Sequence, residues 1–178
     1  MVWKRSAFLM ASILFLRVAG RPLQGQASLS GEQSVFGMEM VPVAEPVVVP
    51  EDVLQILRKT NYVLTCLKER QAPSDIPASW FVGSRIHLDG PDEPDLVVLP
   101  ANGCLLGANV APFWVFRRTA RGFELVLEIS VHDLRVLKGR SNGYRDIETW
   151  SSTAVTHTTL HFKFNGRRYE LTQKKTEP

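Results

Sequence analysis

Residues 80–172 repeat one arrangement: a short run rich in β-branched and aromatic side chains, then a tight turn. Turn signals stand at Gly90-Pro91-Asp92-Glu93-Pro94, Asn102-Gly103, residues 119–122, Ser141-Asn142-Gly143 and Asn165-Gly166. Strands this closely spaced pair antiparallel, because a parallel pair needs a crossover of a dozen or more residues. The expected fold is therefore α+β and mostly antiparallel: a twisted sheet or small sandwich of about seven or eight strands. Phe113-Trp114-Val115-Phe116 is apolar at every position, which implies a central strand buried on both faces. Residues 156–164 and 167–172 flank Asn165-Gly166, a favoured hairpin dipeptide. A two-residue loop there pairs Phe162 with Tyr169 and Leu160 with Leu171 on an inner face. It pairs His161 with Glu170 and Lys163 with Arg168 on the outer one.

Ahead of the strands, the spacing predicts one N-terminal helix. Pro50 opens it, Glu51 and Asp52 suit the positive end of its dipole, and Pro73 stops it. Val53, Ile56, Leu57, Val63, Leu64 and Leu67 form a stripe that must pack on a sheet face. In residues 28–50, Pro42, Pro46 and Pro50 exclude a helix or a central strand, so this piece reads as an extended or flexible leader. Residues 51–178 then form a single helix-plus-antiparallel-β domain.

Two stretches of the β region are alike, forming two similar β-meander units. One runs from Asp95-Leu96-Val97-Val98 to Gly122-Phe123-Glu124-Leu125; the other runs from Asp146-Ile147-Glu148-Thr149 to Arg168-Tyr169-Glu170-Leu171. The segment His87-Leu88-Asp89-Gly90-Pro91-Asp92-Glu93-Pro94-Asp95-Leu96-Val97-Val98 resembles the D-x-D-G-D-G-x-P-D-L-V-V signature of FG-GAP or VCBS-type repeats. Those repeats build the blades of integrin-like β-propellers. The runs 109–117 and 141–147 are similar to exported bacterial proteins. The resemblance implies β-architecture and export, and carries no activity. In such repeats the Asp-rich loop binds Ca²⁺ through oxygens at alternate positions. Here His87 and Pro91 stand at two of those positions, which leaves Asp89 and Asp95 as candidate ligands, too few for a hard cation. Two units cannot close a propeller, which again favours a sheet or sandwich.

The N-terminus reads as an export signal. Lys4 and Arg5 precede an apolar run of eleven residues, 6–16, and small residues at Gly25 and Ala27 form an A-x-A-like cleavage site. A spanning helix needs roughly 20 apolar residues, so this run is too short to be a stable membrane anchor. With residues 1–27 removed, 17 Lys+Arg face 18 Asp+Glu, net −1, and the basic whole-chain charge of +3 is no argument for nucleic acid. The remaining charge is uneven: residues 28–116 carry −6 and residues 117–178 carry +5. Such a basic half either favours an anionic partner or decorates strand edges. Cys66 and Cys104 could pair in a periplasmic or extracellular compartment, or Cys66 could be a buried thiol in the helical stripe.

No constellation of catalytic residues is legible. His157 and His161 are four apart on a strand, roughly 13 Å, too far for one metal; the cysteines lack zinc spacing; the glycines stand singly at turns. Neither a metal nor a cofactor is expected. The best candidate for function is a surface: His157, Thr159, His161 and Lys163 on the outer face of the last hairpin, beside Arg168 and Glu170, able to bind a protein or a polar or anionic ligand. The expected function is an exported non-catalytic binding or interaction module. The alternatives are a periplasmic inhibitor of a secreted hydrolase, acting through the loop 100–112, and an enzyme of unrecognised type.

Overall fold

The computed structural model describes residues 31–38, 43–70 and 76–178; the expected signal, residues 1–27, lies outside them. Ten strands form two five-stranded antiparallel sheets. In chain order they are β1 (Val35–Gly37), β2 (Pro46–Val47), β3 (Phe81–Ile86), β4 (Asp95–Pro100), β5 (Ala111–Thr119), β6 (Gly122–Val131), β7 (Asp133–Ser141), β8 (Tyr144–Ser152), β9 (His157–Phe164) and β10 (Tyr169–Glu177). One sheet runs β2-β3-β4-β5-β6 and the other β1-β7-β8-β9-β10. Each is a four-stranded meander extended by one short strand from the leader. The two similar units read in the sequence fall one in each sheet. The strand count exceeds the expected seven or eight because the leader supplies β1 and β2, which lie at sheet edges as its prolines require.

Only His132 separates β6 from β7, so the chain turns directly from one sheet into the other at a corner. The inner faces enclose one core, in which Phe36, Ile86, Val97, Phe113, Val115, Leu134 and Ile147 are inaccessible to solvent. Alternate residues of β4 and β5 point the other way. Leu96, Val98, Trp114 and Phe116 join Val53, Leu57 and Val63 in a second core, beneath the helical layer. The unbroken apolar run 113–116 thus has a cause in layering: helices cover one face and the other sheet covers the opposite one.

The helical layer corrects the expectation of one helix. It consists of α1 (Glu51–Leu57) and α2 (Asn61–Arg70), separated at residues 58–60. Thr60 is buried and its Oγ1 donates to the Leu57 carbonyl at 2.8 Å. The amides of Lys59 and Thr60 reach back three residues rather than four, which tightens the turn and ends α1. The break carries Val63 and Cys66 into the core and leaves Leu64 on the surface. Cys66 on α2 is joined to Cys104 by a disulfide with a Cα–Cα distance of 5.8 Å. It ties α2 to the loop after β4, a link compatible with an oxidising compartment. Among the described residues no helix is long and apolar enough to cross a membrane.

The last hairpin also departs from its expected register. Tyr169 pairs with Phe164, Glu170 with Lys163 and Leu171 with Phe162, a shift of two residues. The Asn165 side chain causes it: its Oδ1 accepts the amides of Arg167 and Arg168, both at 2.8 Å, placing Gly166, at φ +100°, in a longer loop. A two-residue shift preserves facing, so Phe162, Phe164 and Tyr169 still point inward. A bulge between Leu171 and Gln173 then alters the pairing, and Leu160 meets Lys174 in place of Leu171.

Candidate binding face

The outer face of the sheet β1-β7-β8-β9-β10 is open to solvent, and cross-strand pairing brings its outward side chains into rows. One row runs Arg135, Glu148, His161, Gln173 across β7, β8, β9 and β10. Within it, Arg135 Nη1 lies 3.4 Å from Glu148 Oε1, and His161 Nε2 lies 2.9 Å from Glu148 Oε2. The next row holds Asp133, Trp150, Thr159 and Lys175. Trp150 stacks on His157 at 5.5 Å between ring centres and meets His132 edge-on at 5.1 Å. Asp133 Oδ1 is 3.2 Å from His132 Nδ1, without hydrogen-bond alignment. Val35, Asp133, Arg135, Glu148, Thr149 and Trp150 line a shallow cleft of about 310 Å³.

Of the residues expected on this surface, His157, Thr159, His161 and Lys163 lie on β9 with the outward alternation. The shifted hairpin register sets His161 opposite Gln173 and not Glu170, and its carboxylate neighbour is Glu148 on the other side, on β8. Arg168 falls in the loop instead of opposite Lys163, and Glu170, now opposite Lys163, accepts from Asn165 Nδ2 at 2.7 Å. Neither lines the cleft; both line hollows beside β6. Trp114 is fully buried, but Trp150 is partly exposed on the outer face. Its position was legible: with Ile147 and Thr149 inward, strand alternation puts Glu148 and Trp150 outward.

The two candidate metal ligands are separated in role. Asp95 is 1% exposed. Its Oδ2 accepts the Leu88 amide at 2.8 Å and its Oδ1 the Arg118 amide at 2.7 Å, so it fastens the loop before β4 to the end of β5. Burial pushes its carboxyl up to about 6, outweighing those two amides. Asp89 lies beside a surface hollow with Asp92, Glu93 and Arg118. Among the described residues no group of three or more His, Cys, Asp or Glu is placed to hold a metal ion.

A second charged cluster ties the leader to both sheets. Arg145, 9% exposed, reaches Glu32 Oε2 at 2.7 Å through Nη1, the Leu137 carbonyl at 2.7 Å through Nε, and the Val136 carbonyl at 3.0 Å through Nη2. Glu32 Oε1 is 2.7 Å from His87 Nδ1. Every acceptor in the cluster faces a donor, the condition under which a buried ion pair is tolerated. The loop 100–112 is anchored too: Leu105 is in the second core, Cys104 is in the disulfide, and residues 106–109 are exposed. Compared with family models, with curated proteins and with solved structures, the chain finds no match.

Proposed function

We propose that this chain is an exported, non-catalytic binding module that holds a neutral, hydroxyl-rich ring, such as a sugar unit, on the outer face of its β1-containing sheet. Export is supported by the signal pattern of residues 1–27 and by the Cys66–Cys104 pair, which fits a periplasmic or extracellular setting. The observation that carries the ligand class is Trp150, an aromatic side chain left partly exposed in a cleft rimmed by Asp133, Arg135 and Glu148.

An indole face is electron-rich and attracts the weakly positive C–H edges of a ring. Carboxylates and a guanidinium around it supply acceptors and donors for hydroxyl groups. Charge argues against an anionic ligand at this end of the sheet. Arg135, the guanidinium on the rim, already faces Glu148, so the cleft offers no unmet positive charge.

Titration with a panel of neutral oligosaccharides, followed by calorimetry, tests the reading. Binding should fall by at least roughly tenfold in Trp150→Ala, the scale of one well-packed aromatic contact. The melting temperature should change little, because Trp150 lies outside both cores. Equal binding by wild type and variant would reject the cleft.

A second reading, inhibition of a secreted hydrolase through the loop 100–112, draws on the exposed residues 106–109 beside the disulfide. Its signature would be a protein partner lost on replacing those residues and indifferent to Trp150→Ala.

A further inference from the structure

Each sheet ends in a strand without a neighbour: β6 closes one order and β10 the other. The two open edges lie together. Residues 125–128 of β6 and residues 168–171, at the start of β10, line one groove of about 430 Å³. A second hollow, of about 710 Å³, shares Leu125, Arg168 and Glu170 with it and adds Arg167. An unpaired strand presents a row of amides and carbonyls on which another extended chain can pair. At their opposite ends the same sheets already take short strands in this way, β1 on β7 and β2 on β3.

Charge selects the occupant. The carboxylates around the groove have partners: Glu124 with Arg117 at 2.6 Å, Glu170 with Asn165 at 2.7 Å, and Glu128 with the Trp114 indole N–H at 3.3 Å. The cations differ. Lys163, Arg167, Arg168 and Lys174 are exposed, and none makes an ion pair among the described residues. Four unpaired cations against the two carboxylates whose partners are neutral, Glu128 and Glu170, leave the surplus charge positive. Leu171, 51% exposed, adds an apolar contact beside it. A second copy is a poor occupant: antiparallel self-pairing about Gln173, the middle of β10, would make the Lys174 side chains of the two chains diagonal neighbours on one face, and like charges close across strands destabilise the pairing.

We propose that the groove between β6 and β10 accepts an extended acidic segment of a partner protein, added along β10 as a further strand. Its backbone would pair with the open edge, and its carboxylates would meet Arg167, Arg168 and Lys174. This site is independent of the Trp150 cleft.

The test uses three short blocked peptides on the full domain: valine alternating with glutamate, valine alternating with lysine, and the glutamate peptide interrupted by proline. The glutamate peptide should bind and slow amide exchange in β10. Its affinity should fall at least roughly tenfold in the exposed double variant Arg167→Glu/Arg168→Glu and again in Lys174→Glu. The proline peptide, lacking a strand donor, should bind at least roughly tenfold more weakly. Equal affinity for the lysine or proline peptide, binding by none of the three, or protection confined to the Trp150 face would overturn the proposal. A concentration-dependent dimer that protects β10 without peptide would also overturn it, by showing that a second copy is the occupant.

Discussion

Replacing Asp95 with Asn isolates the consequence of burying its charge. The carboxylate is 1% exposed and accepts two backbone amides, which favour the charged form. Burial opposes them and prevails, raising the pKa from 3.8 to about 6; the charge of Asp89 acts in the same direction and that of His87 against it. The folded chain thus binds this proton more tightly than the unfolded one. The group's contribution to stability is complete below about pH 4 and is lost as pH rises through about 6. A rise of about two pKa units corresponds to about 3 kcal/mol. Asparagine keeps the shape and cannot titrate, but turns an amide N–H toward one of the two donors. That leaves a penalty of about 1–3 kcal/mol that is independent of pH. Urea unfolding of both proteins from acid to mildly alkaline pH reads the difference, with all other titrating groups cancelling. The wild type's advantage over Asp95→Asn should shrink by about 3 kcal/mol between roughly pH 4 and pH 8. A difference that is flat, or that grows with pH, would refute the argument.

Removing the disulfide with Cys66→Ser/Cys104→Ser frees a loop of sequence separation 38 and should lower stability by about 4 kcal/mol in the loop-entropy account, measured by chemical denaturation. Glu32→Ala leaves the Arg145 guanidinium buried beside two carbonyls without its counter-ion; a loss of about 3–5 kcal/mol is expected, and part of it should be recovered when Arg145→Met is added. Gly122 holds φ +116° in the β5–β6 turn, and a Cβ there would sit 3.0 Å from Asp52 Oδ2. Gly122→Ala should therefore cost more than about 1 kcal/mol, whereas the same change at Gly90, which meets nothing within 4 Å, should cost much less in the same thermal melts.

The layered architecture could be read from alternation and turns because those signals are local. The apolar run 113–116, the turn at Asn142-Gly143 and the two similar meanders all describe strands whose partners are near in sequence, and each unit occupies its own sheet. The break between α1 and α2 was hidden because the stripe through Leu57, Leu64 and Leu67 fits an unbroken helix. Burial of Thr60 against its own backbone is a tertiary event. The hairpin register was misread for a similar reason: Asn165-Gly166 suits two loops, and the Asn165 side chain decides between them. The candidate face was half visible. Outward facing on β9 follows from parity alone, so His157, Thr159, His161 and Lys163 could be placed. That Trp150, Arg135 and Glu148 join them depends on which strands are neighbours, with β8 between β7 and β9, which one sequence does not reveal. The Glu32–Arg145 pair joins residues 113 apart in the chain and left no trace in any local pattern.

The decisive measurement is an amide and indole chemical-shift map of the domain titrated with the neutral oligosaccharide that calorimetry ranks highest. If the outer sheet face is the binding surface, the Trp150 indole N–H and the amides of residues 133–135 and 148–150 should move together along one isotherm, with residues 106–109 unmoved. Saturable shifts centred on residues 106–109, or no saturable shift around Trp150 with any oligosaccharide of the panel, would contradict it.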